Sequence, residues 1–276
     1  MKKRSTRNRP PSSRRAGLRR AKGARLGQHL LTNPLVARAV AGAAGVRDGD
    51  TVLEIGPGTG MLTRELLALG AHVIAVEKDS GMVSILKKTF AKEISDGRLE
   101  LREGDARDLA PDALVPEGAY KVAANIPYYI TGELIRECLT AKRQPEALAF
   151  LVQKEVAERV ARAKKESILS LSVKAYGEPQ YVRTVSKGNF NPAPNVDSAI
   201  LAIRGISRKN FEGISEDMFF RTVKTGFAAK RKTLAGNLKK VFGTKAEGVL
   251  VACDIDEKAR AEDVPLEKWL ALAARI

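Results

Sequence analysis

The chain is poor in several things at once. Of its 276 residues, two are cysteine and two are histidine. Two thiols, Cys138 and Cys253, cannot build a disulfide framework, and their scarcity suits a reducing cytosol. No CxxC pair is present, so no metal site is expected. No run approaches the roughly 20 apolar residues of a membrane helix, and no signal peptide is visible. Acidic residues are missing from the start: the first is Asp48. A cytoplasmic location without a membrane partner is the expectation.

What is present is positive charge. Lys and Arg number 48 against 32 Asp and Glu, a formal +16, and 44% of residues are hydrophobic. That length and apolar content allow one large domain, or a core domain with a smaller one. The net charge points to a polyanionic partner. Residues 1–26 hold eleven Lys and Arg and no acid, leaving only +5 on the remainder. Such a segment cannot bury a core and is expected to be disordered alone. A plain solvated tail, a phosphate-neutralising arm and an Arg-rich transit peptide compete. The first fifteen residues lack an apolar face, which favours the RNA arm over the transit peptide.

From Asn33-Pro34, a helix-start pair, strands and helices alternate. The predicted strands are Thr51–Ile55, His72–Val76, one starting at Leu99–Leu101, Tyr120–Ala124 and Ala147–Val152. Helices are expected over Met61–Leu69, around Met82–Leu86, and from Lys154. This predicts a Rossmann-like α/β domain of parallel strands, with its ligand outside their carboxyl ends. Gly56-Pro57-Gly58-Thr59-Gly60, Glu77, Asp105 and Asn125 all fall at those ends.

A glycine turn after the first strand lets backbone N–H groups approach a ligand closely. An acid about 20 residues on can accept hydrogen bonds from ribose hydroxyls, and Glu77 has that spacing. A dinucleotide and S-adenosylmethionine both fit so far. Met61 stands where the dinucleotide fingerprint wants its last glycine. Asp105, able to hold an adenine amine, and Glu54, placed near a methionine end, strengthen the methyl-donor reading.

Asn125-Ile126-Pro127-Tyr128 leaves the fourth strand toward that site. An adenine exocyclic amine is a poor nucleophile because its lone pair is delocalised into the ring. The Asn125 side-chain oxygen and the Ile126 carbonyl could accept both amine hydrogens and favour a tetrahedral nitrogen. Catalysis of that kind rests on positioning and electrostatics. Pro127 fixes φ, and Tyr128 offers a ring for the base. Taken alone, the tetrapeptide also fits a turn with a core tyrosine.

These segments resemble the small-subunit rRNA adenine dimethyltransferases of the KsgA type, within the group that includes Erm methylases. The likeness begins at Gly27-Gln28-His29-Leu30-Leu31 and runs through EIGPGTG (54–60), VEKD (76–79), GDA (104–106), NIPY (125–128) and LVQKEVAER (151–159). It continues through FNPAPNVDSAI (190–200) and FAAKRKTLAGNL (227–238). The resemblance implies dimethylation at N6 of two adjacent adenosines in the 3′-terminal hairpin loop of 16S-type rRNA, late in small-subunit assembly. It implies S-adenosylmethionine as donor and S-adenosylhomocysteine as product. Donor contacts would fall on Gln28, His29, Leu31, Glu54, Gly56, Gly58, Gly60, Glu77, Lys78, Asp105, Ala106 and Asn125. Tyr128 and Phe190 would sandwich the target base. Leu30 and Tyr129 depart from the common pattern.

Beyond Ser207 the pattern turns helical, with helices expected over Asp217–Phe227, Lys230–Val241, Lys245–Cys253 and Leu266–Ala274. The expected division is a tail (1–26), a methyltransferase domain (27–206) and a helical C-terminal domain (207–276). Arg221, Lys224, Lys230, Arg231, Lys232, Lys239 and Lys240 cluster within twenty residues, which favours phosphate contacts over a merely solvated face. The expected partner is small-subunit rRNA in a pre-assembled subunit, met by a monomer. An Erm-type large-subunit enzyme and a non-catalytic rRNA-binding assembly factor are the rivals.

Overall fold

The computed structural model describes residues 29–276 except Leu109. The expectations for the tail and for Gln28 lie outside the described residues. A seven-stranded sheet organises the chain, in the order Leu99–Glu103, His72–Glu77, Thr51–Ile55, Lys121–Asn125, Ala147–Gln153, Ser198–Arg204 and Glu178–Val185. Five strands are parallel: β2 (Thr51–Ile55), β3 (His72–Glu77), β4 (Leu99–Glu103), β5 (Lys121–Asn125) and β6 (Ala147–Gln153). Their apolar residues alternate between two cores as the pleat requires. In β6, Leu148, Phe150 and Val152 face one cluster while Ala149 and Leu151 face the other.

α1 (Pro34–Ala43) and α2 (Met61–Ala68) cover the second face. Asn33 caps α1 by accepting from the Leu35 N–H. Leu86 of α3 (Ser80–Thr89) joins that core, and the short α4 (Ala91–Ser95) leads into β4. On the other face lie α5 (Thr131–Thr140), α6 (Lys154–Ala161) and α7 (Ile168–Lys174).

Four antiparallel strands are not among those expected from the sequence. β9 (Ser198–Arg204) pairs with β6 and with β7 (Glu178–Val185). A separate ribbon joins β1 (Leu30–Leu31) to β8 (Phe190–Asn191). It brings the segment before α1 against the FNPAP segment, some 160 residues later.

The C-terminal helices are α8 (Glu216–Gly226), α9 (Leu234–Phe242), α10 (Lys245–Ala252) and α11 (Leu266–Ala273). Trp269 of α11 is fully buried and belongs to the same apolar cluster as Phe150 and Val122. At Gly226 an added Cβ would lie 2.4 Å from the Trp269 ring, so only glycine lets these helices approach so closely. The expected helix from Lys230 is a correction. Lys230, Arg231 and Lys232 form a turn, closed by the Lys232 N–H on the Ala229 carbonyl, and α9 starts only after its cap Thr233. Charged residues that suit a helix hid the break. Asn237 fixes the turn by donating to the Gly226 and Ala229 carbonyls.

Candidate active site

Chain order runs outward from β2 to β3 and β4, then returns to β5 beside β2. The carboxyl ends of β2 and β5 therefore flank a topological switch point, where open α/β sheets bind ligands. A cavity opens there, lined by His29, Leu31, Glu54, Gly56, Glu77 and Asn125 among others. A neighbouring hollow is lined by Lys78, Asp105, Ala106, Arg107 and Tyr129. Both share Gly56, Glu77, Ile126 and Pro127, so the two are contiguous.

The glycine turn is shaped by its backbone. Gly58 has φ +58°, and an added Cβ would lie 2.8 Å from the Leu30 side chain. A side chain there is strained by the conformation and would also push the Leu30 side chain aside. Glu77, at the end of β3, is pinned from both sides. One carboxylate oxygen accepts from the Gly58 N–H (3.0 Å) and the other from the Asp79 N–H (2.9 Å). Glu77 lines both hollows. Gly60 caps α2 in a left-handed conformation and does not line the cavity.

Glu54 is the unusual group. It is buried at the end of β2, and its Oε2 has no hydrogen-bond partner among the described residues. Burial pushes its carboxyl up to about 8, Thr63 offsets part of this, and the charge of Glu77 adds to it. Asp105 is the opposite case. It holds Arg107 in a bidentate pair (3.0 and 2.6 Å) and Lys78 at 2.8 Å. The Arg107 guanidinium, with help from Lys78, keeps its carboxyl far below the usual carboxylate range.

Asn125 ends β5, and its Nδ2 donates to the His29 carbonyl at 3.0 Å. That bond orients the amide: the nitrogen is engaged and Oδ1 is left as the available acceptor. The His29 ring makes a 2.8 Å bond from Nδ1 to the Pro192 carbonyl and packs 5.8 Å from the Tyr128 ring. Tyr128 and Ser198 share a hydroxyl–hydroxyl bond of 2.7 Å. Burial raises the Tyr128 phenol, with Ser198 partly offsetting it.

Phe190 is placed differently from expectation. It is only 5% exposed, packs in the core around Leu31, and does not line the cavity. Pairing of β8 with β1 turns an aromatic ring inward, where its apolar area is removed from water. Of the two rings expected around a base, only Tyr128 borders the cavity. Sequence reasoning also missed Arg107, two positions after Asp105, and Ser198, four positions after the FNPAP segment.

Residues 20–276 match the profile of the family described as Ribosomal RNA adenine dimethylase. The chain belongs to that family. Its relatives include Ribosomal RNA small subunit methyltransferase A of Dehalococcoides mccartyi, 38% identical over 90% of this chain and 86% of that protein. The same-named protein of Thermosynechococcus vestitus is 38% identical over 90% and 94%. Among solved structures, a dimethyladenosine transferase from Plasmodium falciparum superposes with TM-score 0.75 at 31% identity, covering 88% of this chain and 96% of that one. The 23S rRNA methyltransferase ErmE shares the fold, with TM-score 0.70 at 24% identity over 89% and 98%.

This family member carries its candidate RNA contacts elsewhere. Arg221 and Lys224 lie on α8, and Lys239 and Lys240 on the last turn of α9, all exposed. Two are engaged: Lys239 pairs with Glu247 at 2.9 Å, and the Arg221 guanidinium lies over the Phe242 ring. Lys230, Arg231 and Lys232 project from the turn between the two helices. No helix among the described residues is long and apolar enough to cross a membrane.

Proposed function

We propose that this protein transfers methyl groups from S-adenosylmethionine to N6 of two adjacent adenosines in the 3′-terminal hairpin loop of small-subunit rRNA, dimethylating each. The observation that carries the reading is the oriented Asn125 amide beside Tyr128 at the switch point. The donor supplies an electrophilic methyl group on a sulfonium. The residues fit such a ligand: Glu54 lines the cavity and keeps a buried oxygen with no partner among the described residues, which suits its ammonium. The pinned Glu77 suits ribose hydroxyls, and the strand-end Asp105 with Ala106 suits the adenine.

Asn125 Oδ1 and the Ile126 carbonyl accept the two hydrogens of the target amine and draw its lone pair out of conjugation. Tyr128 stacks on the base and holds it in line. Pro127 keeps the turn rigid. No strong base is required, because the nitrogen loses its proton readily once it is alkylated. Phe190 contributes to this slot indirectly, from the core, through the β1–β8 ribbon. Residues 207–276 serve as the RNA-side domain, with Arg221, Lys224, Lys230, Arg231, Lys232, Lys239 and Lys240 on phosphates. The substrate is a pre-assembled small subunit, met by a monomer in the cytoplasm.

The test is methylation of purified small and large subunits that lack the mark, followed by mass mapping of the 3′-terminal rRNA fragment. Two dimethyladenosines in the small-subunit fragment are expected. Activity on large subunits alone would assign the protein to the Erm-type reaction, and no activity on either would favour an assembly factor. Deleting residues 1–24 should weaken affinity for the subunit and lower its salt slope, while donor affinity stays unchanged. An unaltered slope would leave the tail without an RNA role.

A further inference from the structure

A second concavity of about 510 Å³ lies outside the active site and shares no lining residue with it. It sits in the seam between the loop joining α6 to α7 and the C-terminal helices. One wall is apolar, formed by Ile168, Leu169, Phe227 and Ala229, and Ile168 is 40% exposed. The rim is cationic, formed by Arg159, Lys230, Lys232 and Arg260.

The seam's charges separate into two kinds. Its acids are already satisfied: Glu166 accepts from Lys174 and Ser170, and Glu262 pairs with Lys165. A backbone bond from the Glu166 N–H to the Glu262 carbonyl, 2.7 Å, ties the two walls together. Asp263 also reaches Lys165 at 3.5 Å. Among the described residues, Lys230, Lys232 and Arg260 have no carboxylate within 4 Å. The cleft is thus a braced, half-apolar hollow whose unspent charge is positive. Its volume falls in the ordinary range of small-molecule sites. Apolar wall and cationic rim together match an unstacked nucleotide: a base against Ile168 and Phe227, and its flanking phosphates on the rim.

We propose that this seam binds an extruded nucleotide of the substrate rRNA, separate from the adenosine undergoing methylation. The inference rests on the functional reading above, in that the RNA is ribosomal. It assigns to the seam a job the active site cannot perform: fixing the rigid-body position of the enzyme on its substrate while the target base is exchanged.

Arg260→Ser and Ile168→Ser separate the two contributions. Both positions are exposed, and unchanged thermal melting confirms folding. Affinity for unmethylated small subunits is measured from low to high potassium chloride. Arg260→Ser should lose about threefold to tenfold in affinity and lower the salt slope by about one. Ile168→Ser should lose a similar factor with the slope unchanged, because it removes base contact and not charge. Donor KM should stay constant in both. For a direct readout, Ile168→Cys is labelled with a benzophenone maleimide, which is practical because Cys138 and Cys253 are both buried. Crosslinking to rRNA is expected. Unaltered affinity in both serine variants, or crosslinking only to a ribosomal protein through an acidic segment, overturns the proposal. Failure of the wild type to methylate small subunits would instead overturn the functional reading.

Discussion

The donor cavity and the seam cleft are built on opposite principles. At the cavity nearly every charged or polar group is fastened before any ligand arrives. Glu77 is held by two backbone N–H groups, Asp105 by Arg107 and Lys78, and Asn125 by the His29 carbonyl. At the seam the acids are fastened and the rim cations Lys230, Lys232 and Arg260 are not. Chemistry on a delocalised amine needs groups fixed in direction, since a small misplacement costs orders of magnitude in rate. Attraction of a polyanion needs only charge at roughly the right place, and free side chains adapt to it.

Asn125→Ala cuts hardest at that contrast. It removes the acceptor and leaves the His29 carbonyl without its donor. Turnover should fall by about a thousandfold, the scale for losing a preorganised group. Affinity for the small subunit should change by less than about twofold. A comparable loss of RNA affinity would show that cavity and seam are not separable.

Glu54→Gln tests a cavity carboxyl with one oxygen left unpartnered among the described residues. The folded carboxyl is pushed up to about 8, and its ordinary value is 4.5. Between those values the folded protein keeps a proton that the unfolded chain releases. Stability should therefore fall as pH rises from about 5 to about 8, by a few kcal/mol at most. The glutamine variant should remove much of this slope, read as Tm against pH. Its donor affinity should weaken most at the alkaline end, where the native carboxyl is ionised and can face an ammonium. A wild-type Tm that rises across this range would reverse the account.

What was legible in the sequence follows the same division. Four of the five parallel strands were readable as short, mainly apolar runs ended by glycine or a polar residue, and Leu99–Glu103 by its position in the strand–helix alternation. Glu77, Asp105 and Asn125 were readable because strand ends concentrate function in such sheets. β7 was hidden because its EPQYVRTV segment carries Pro179 and is polar on its exposed side. β9 was hidden inside a motif first noticed for its prolines. Phe190 depends on a contact far away in sequence, Leu31, and the Lys230–Lys232 turn on an Asn237 side chain that reaches back to the Ala229 carbonyl, which no local pattern announces. The seam could not be read at all, since Arg159, Ile168, Phe227 and Arg260 meet only in the folded chain.

The smallest expected effect is at Ser198, where the fastening of the cavity reaches Tyr128, the ring proposed to stack on the base. Its hydroxyl is fully buried and shares a 2.7 Å bond with the Tyr128 hydroxyl. A single neutral hydrogen bond contributes about 1 kcal/mol. Ser198→Ala should therefore lower kcat about fivefold and leave donor KM and subunit affinity unchanged. Tyr128→Phe removes the same bond from the other side and keeps the ring, so it should cost about the same. The double variant should then be no slower than either single one, because one bond can be lost only once. Additive losses would mean that each hydroxyl acts on the substrate independently. The Tyr128 ring would then belong with the adaptable groups of the seam, and not with the fixed groups of the cavity.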